Sequence, residues 1–402
     1  MMRRNFFVIP VAVCIIILAT SCKQMYFDTE NISYITGKTH MKPFSHLNNP
    51  IVITMPVYQG KGLLGNDKLG HANKREGDIF VVYDWESDEI FDWAFFPGMH
   101  GLSNWRAVEL GTPVKYYDAG EGSGLIGCLN PEDGKVTTIK AEKRGHLLNM
   151  NSNNDSIRPR YGLIPSVDYR DGIDYRRINI LDTEIQQYNP RFIEFPNENI
   201  NVGYSYLDSN FNYWIMIQND EKNYLGRLDC DKLELEKYYI TEMSLSEIDG
   251  RATCDAFSIH GIVNDYAILS DGVEPLYENF IICNLSNPSV DKFEIPVPKR
   301  ISENDFLLRT VFVSGEAYCL FINDDDGVYD MIYHLNPETW EFEYEATFQF
   351  VPSETIYARG SRIYLLNSWN TEQLYCVYYD IETKKVSDEI LITFEEIVKG
   401  EY

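Results

Sequence analysis

The sequence predicts an all-β protein built as a β-propeller, and three observations carry that reading. A short token recurs along the chain at fairly even steps, helical periodicity is nearly absent, and short apolar runs alternate with polar turns. The token is an apolar strand ending in Asp or Asn, then a short polar turn, then an alternating strand. It stands at Asp84, Asn130, Asp182, Asp229, Asn284, Asn336 and Asp380, in steps of roughly 44 to 55 residues. Asp and Asn suit the first turn position because their side chains bond the backbone two residues on. A unit of about 50 residues made from short strands cannot bury its own two faces, so units stack around an axis as blades.

The last unit is the clearest. Arg-Ile-Tyr-Leu-Leu-Asn (362–367) leads through a polar turn to Leu-Tyr-Cys-Val-Tyr-Tyr (374–379), then Asp380-Ile-Glu-Thr, then a closing strand over 386–392. The unit before it matches, with Ala-Tyr-Cys-Leu-Phe-Ile (317–322), Met-Ile-Tyr-His-Leu (331–335) and Asn336-Pro-Glu-Thr. Seven tokens give seven blades over residues 51–402. Six is the alternative, because the stretch 140–180 is irregular enough to be an insertion.

The N-terminus reads as an export signal over residues 1–21. Arg3 and Arg4 form its positive end and Phe6–Leu18 its apolar segment, too short for a spanning helix. Leu18-Ala19-Thr20-Ser21-Cys22 resembles a bacterial lipobox, with the leucine one place earlier than usual. The resemblance implies cleavage before Cys22, acylation of that cysteine, and a stable membrane anchor. Residues 22–50 then form a lipidated tether followed by a strand suited to closing the ring. The expected location is the cell envelope, on the outer membrane, with the face left open.

The chain has 402 residues and a net charge of −26. Such acidity argues against nucleic acid, which needs Lys and Arg to displace counterions. It argues equally against lying flat on anionic lipid, so the lipid alone makes the membrane contact. Six cysteines remain beyond Cys14 and Cys22, with no CxxC and no zinc spacing, and most sit in apolar strand patterns as small buried hydrophobes. An exported protein can form a disulfide, but the sequence fixes no pairing.

The Asp-x-Glu-Thr-Lys turn at 380–384 resembles the blade turn of TolB-like and quinoprotein-like propellers. Cysteine-anchored lipoproteins of the Bacteroidetes type with such propellers are similar in outline over roughly residues 60–400. The chain has no Trp-Asp dipeptide, no Gly-Gly pair and no Ser-x-Asp-x-Gly-x-Thr-Trp box, the marks of other propeller families.

Two constellations stand out as candidate contact sites. The turns joining the middle strands of four units carry Asp220, Asp271, Glu274, Asp324, Asp325, Asp326 and Trp369, which places carboxylates and one tryptophan on one rim. Such a rim suits a cation, a basic partner or a sugar, or it is a row of solvated hairpins. The second is Arg158, Arg160, Arg170, Arg176 and Arg177, interleaved with Tyr161, Tyr169 and Tyr175. Arginine forks recognise carboxylate or phosphate, and an irregular segment is a frequent place for function. The alternative is charge balance on an acidic surface.

Chemistry is otherwise sparse. No two of the seven histidines are spaced for a metal, and the acidic run near Asn323–Asp330 misses calcium-loop spacing because Ile322 would hold the first ligand position. No nucleotide, cofactor or hydrolase motif is present. The expectation is therefore a monomeric, non-enzymatic envelope propeller, without cofactor or metal, that binds an envelope protein or a glycan. A propeller glycoside hydrolase or lyase, or a structural assembly factor, is the alternative.

Overall fold

A computed structural model describes residues 37–59, 74–97, 107–119, 125–140, 149–152, 158–170, 173–185, 187–196, 199–219, 222–242, 245–248, 251–254, 258–270, 279–299, 301, 305–323, 330–348, 355–367, 373–388, 390–393 and 397. The signal and Cys22 lie outside the described residues.

The fold is a seven-bladed propeller. Blade 1 is β1 (Ile51–Gln59), β2 (Lys74–Asp84) and β3 (Glu89–Pro97). Blade 2 is β4 (Val108–Leu110), β5 (Lys115–Ala119), β6 (Leu125–Leu129) and β7 (Val136–Lys140). A short β8 (Asn149–Ser152) precedes blade 3, which is β9 (Tyr161–Arg170), β10 (Ile173–Asp182) and β11 (Gln187–Pro196). Blade 4 is β12 (Asn199–Leu207), β13 (Tyr213–Asn219), β14 (Lys222–Asp229) and β15 (Glu234–Glu242). After a hairpin of β16 (Leu245–Ile248) and β17 (Arg251–Cys254), blade 5 is β18 (Ser258–Val263), β19 (Tyr266–Ser270), β20 (Asn279–Asn284) and β21 (Lys292–Pro296). Blade 6 is β22 (Asp305–Val313), β23 (Glu316–Asn323), β24 (Asp330–Asn336) and β25 (Glu341–Phe348). Blade 7 is β26 (Thr355–Arg359), β27 (Arg362–Asn367), β28 (Gln373–Asp380), β29 (Lys385–Val386) and β30 (Ile390–Thr393). The irregular stretch 140–180 is thus not an insertion but supplies most of blade 3.

Each token makes the turn expected of it. The side-chain oxygen of Asp84, Asn130, Asp182, Asp229, Asn284, Asn336 and Asp380 accepts from the backbone N–H two residues on, at 2.9–3.2 Å. In every blade that turn leads into the outermost strand. Four positions beyond the token, Asp88, Gly134, Leu233, Trp340 and Lys384 take a left-handed backbone. Leu233 and Trp340 half-bury their side chains against the core clusters, and that packing offsets the strain.

The core is a ring of sandwiches between blades. In blade 5, Ala267, Leu269 and Cys283 face blade 4, whereas Ile268, Phe280 and Ile282 face blade 6. Alternate residues thus serve alternate neighbours, which explains why the strands are apolar on both faces. The same holds round the ring to a final sandwich of blade 7 on blade 1, where Tyr357, Tyr364 and Leu366 pack with Ile51, Val81 and Tyr83. Cys128, Cys230, Cys283, Cys319 and Cys376 are buried free thiols, and burial pushes Cys283 and Cys319 up to about 12.

Closure of the ring uses no shared strand among the described residues: β1 pairs with β2, and blade 7 pairs only with itself. Side chains bridge the seam instead. Tyr357 Oη donates to the Val52 carbonyl at 3.1 Å, and Arg362 pairs with Asp88 at 3.1 Å. Residues before β1 strap the outside of the neighbouring seam. Met41 N–H donates to the Gly134 carbonyl, Phe44 N–H donates to the Pro131 carbonyl, and both side chains are buried between blades 1 and 2.

Among the described residues, blades 1 and 3 have three strands each, which correspond to the second, third and outermost strands of the four-stranded blades. In sequence order β8 precedes blade 3, yet it pairs in parallel with β12 of blade 4. A buried charge cluster joins blade 2 to blade 7. Glu109 of β4 accepts from Arg359 of β26 at 2.6 Å and from Arg158 at 2.7 Å, with side-chain exposures of 8%, 3% and 11%. Asn49 joins it, its carbonyl taking Arg359 Nε at 2.7 Å and its Oδ1 taking Arg158 Nη2 at 2.6 Å. Four separated stretches of chain meet at one carboxylate.

Candidate functional site

The turns between the second and third strands of the four-stranded blades lie on the rim opposite the Asx turns. The residues expected to act there, Asp220, Asp271, Glu274, Asp324, Asp325, Asp326 and Trp369, lie outside the described residues. Below that rim, the innermost strands of blades 4, 5 and 6 all break register with their neighbours. In blade 5 the pairs run from Ile259–Leu269 to Gly261–Ile268, so His260 is the extra residue. In blade 6 they run from Leu307–Phe321 to Arg309–Leu320, and in blade 4 from Asn201–Met216 to Tyr206–Trp214. The innermost strand of blade 7 keeps even register. A bulge bends its strand and re-aims a side chain, and bulges gather next to active and binding sites.

A buried polar residue stands at or beside each bulge: Ser205 in blade 4, His260 in blade 5 and Arg309 in blade 6. The bulges touch. Tyr206 Oη donates to the His260 carbonyl at 2.5 Å. A Cβ on Gly261 would lie 2.7 Å from Thr310 Cβ, so glycine is what lets blades 5 and 6 approach this closely. His260 Nε2 and Ser270 Oγ are 2.5 Å apart in a hydrogen bond whose donor depends on the imidazole tautomer, and Phe280 meets the ring edge-on. Asp78, Asp118 and Asp330 are further buried carboxylates in the middle strands of blades 1, 2 and 6. Hydroxyl, imidazole and guanidinium groups in contiguous blades suit a polar ligand with hydroxyl or acidic groups. Among the described residues no group of His, Cys, Asp and Glu is placed to hold a metal ion.

The arginine group does not form one patch. Arg158 belongs to the buried Glu109 cluster. Arg160 forks onto Asp182 at 3.1 and 2.8 Å and reaches Glu184 at 3.0 Å. Burial raises the Asp182 carboxyl, but the Arg160 fork and the Glu184 N–H outweigh it and hold the group below the usual carboxylate range. Arg177 pairs with Glu194 at 2.9 Å beneath Phe192. Of Arg170 and Arg176 only the backbone is described, in β9 and β10. The residues that sequence reasoning passed over are Ser205, His260, Ser270 and Arg309. A glycine inside Ser-Ile-His-Gly-Ile-Val and a charge inside Phe-Leu-Leu-Arg-Thr-Val-Phe are the signals that mark them.

No protein-family model matches the sequence, and no curated protein does. Solved structures with the same architecture are distant in sequence. Puromycin hydrolase matches at a TM-score of 0.54 and 9% identity, over 89% of this chain and 54% of that one, so this chain spans about half of that protein. The propeller domain of the Trilobed protease from Pyrococcus furiosus gives 0.45 at 12% identity, over 84% and 94%. A periplasmic gluconolactonase from Pseudomonas aeruginosa gives 0.45 at 9%, over 84% and 95%. At such identities the likeness to puromycin hydrolase establishes what the sheets already show: the chain is a β-propeller.

Proposed function

We propose that this chain is an exported envelope lipoprotein, anchored through Cys22, that binds an envelope glycan or protein at the channel mouth over blades 4 to 6 without catalysing a reaction. One observation carries the site: three contiguous inner-strand bulges, each with a buried polar residue at it or beside it. The lipobox resemblance supports the anchor, and the net charge of −26 supports contact with the membrane through lipid alone. The test is retention of envelope glycans and cross-linked envelope proteins by the lipidated protein, by a Cys22→Ala chain, and by Arg309→Gln with its fold checked by melting. The expected result is one ligand class held by the first two and lost by the third. Equal retention by Arg309→Gln would remove the site.

A glycoside hydrolase or lyase is the second reading, favoured by the buried carboxylates Asp78 and Asp118 in adjacent blades. Such an enzyme would cleave a polysaccharide it retains, and Asp118→Asn would abolish cleavage while leaving retention intact.

A further inference from the structure

The turn between β12 and β13 holds an aromatic ring in water at a cost to the backbone. Phe211 has φ +63° and is 59% exposed. A bulky residue in the left-handed region is strained, and such strain persists only where the surroundings impose it. Leu233 and Trp340 share that backbone but half-bury their side chains against the core, whereas Phe211 is 59% exposed. The surroundings here are a buried carboxylate. Asp208 accepts from the backbone N–H of Asn210 at 2.8 Å and of Asn212 at 2.9 Å, from the Asn212 side chain at 2.9 Å and from Trp214 Nε1 at 2.9 Å. Ser209 Oγ donates to Asp265 at 3.1 Å, tying the turn to blade 5. The backbone that presents the ring is therefore held in place, which lowers the entropy cost of binding.

It has company on that rim. Ile185, in the Asx turn of blade 3, is 52% exposed, and Val290, in that of blade 5, is 75% exposed. With Phe211 between them, these are the three most exposed large hydrophobic side chains among the described residues, in three consecutive blades on one rim. Glu184, Asp231, Asp265 and Asp291 stand exposed around them.

We propose that this rim over blades 3 to 5 docks a protein, with Phe211 seated in an apolar pocket edged by basic residues. Exposed aromatic anchors are the side chains that dominate protein interfaces. The surrounding carboxylates repel an anionic lipid surface. Asp208 is spent on its own turn, and the exposed carboxylates around the aromatic and aliphatic side chains suit a partner with basic groups beside an apolar pocket. The face lies on the rim opposite the channel mouth, so it stands or falls independently of the ligand proposed there.

The test places a benzoylphenylalanine photo-cross-linker at position 211, at 290, or at 386 in blade 7 as control, in cells making the full lipidated chain. The expected result is the same single protein adduct from 211 and 290 and none from 386. Phe211→Asn should cut the adduct at 290 about tenfold or more. The purified Phe211→Asn protein should melt unchanged or roughly 1 °C higher, because Asn tolerates this backbone. A melt several degrees lower would make Phe211 a structural residue and overturn the proposal. So would an adduct at 290 indifferent to Phe211→Asn, no adduct at 211, or an adduct consisting of a second copy of this chain.

Discussion

Blades 4 to 7 and blades 1 to 3 solve the same problem differently. In the first group every blade has its innermost strand, and β12, β18, β22 and β26 follow one another round the axis. Their cohesion comes from apolar strands that interlock on both faces, and the bulges of blades 4 to 6 hold buried polar side chains. In the second group blades 1 and 3 have three strands each among the described residues, one short strand pairs with blade 4, and a carboxylate shared by two arginines ties blade 2 to blade 7. The contrast teaches that repetition stabilises one half of the ring, while the other half depends on a few specific partners. The half that closes the ring is the half with least tolerance for single changes.

The largest effect should come from that cluster. Glu109→Gln leaves two buried guanidinium groups without their anion and should cost about 3–5 kcal/mol in denaturant unfolding. Replacing all three charged residues with apolar ones of similar size should cost far less, because the desolvation penalty goes with them. A small loss for Glu109→Gln would show that blades 1 to 3 are supported elsewhere. Next comes Gly261→Val on the regular side, where the added side chain meets Thr310. It should cost about 1–3 kcal/mol by overpacking and weaken ligand retention at the mouth as blades 5 and 6 spread. An unchanged melt would mean that the inner strands yield more easily than their packing implies.

A smaller effect separates the charged turns from the neutral ones. Asp182, Asp229 and Asp380 have carboxyls held below the usual range. For Asp182 and Asp380 burial works against this and is outweighed by turn N–H groups, with Arg160 added at Asp182. At Asp229 the Lys232 ammonium is the main cause. A depressed folded value means the stabilisation is present above the unfolded pKa of about 3.9 and is lost as pH falls through the lower folded value. Asp182→Asn should therefore cost roughly 1 kcal/mol at neutral pH, given the partly exposed Arg160, and progressively less as pH falls below the unfolded value. A pH-independent difference would contradict the charge argument. Smallest is Asn336→Ala, which removes two exposed turn bonds, from the Glu338 N–H at 2.9 Å and the Thr339 N–H at 3.3 Å, should cost about 0.5–1 kcal/mol and should not respond to pH at all.

Much of the fold was legible. The seven tokens were readable because an Asx turn needs a particular side chain at a particular place, and the structure returns all seven at their residues. Blade 3 was harder to see, since β8 pairs with blade 4 and three arginines interrupt the blade's pattern. The Glu109 cluster was invisible: its members are separated by tens to hundreds of positions, and no local rule ties Arg158 to Arg359. The buried polar groups at the mouth were readable only as interruptions, a histidine beside a glycine in one strand and an arginine in another. Phe211 gave no signal, because a left-handed phenylalanine has no compositional mark.

The division between the two halves is tested most directly by hydrogen–deuterium exchange on the wild-type protein and on Glu109→Gln under conditions where both remain folded. The predicted result is that the variant loses protection first in β1, β4, β9 and β26, with β18, β19, β22 and β23 still protected as in the wild type. Protection falling evenly round all seven blades would show a single cooperative ring and contradict the account.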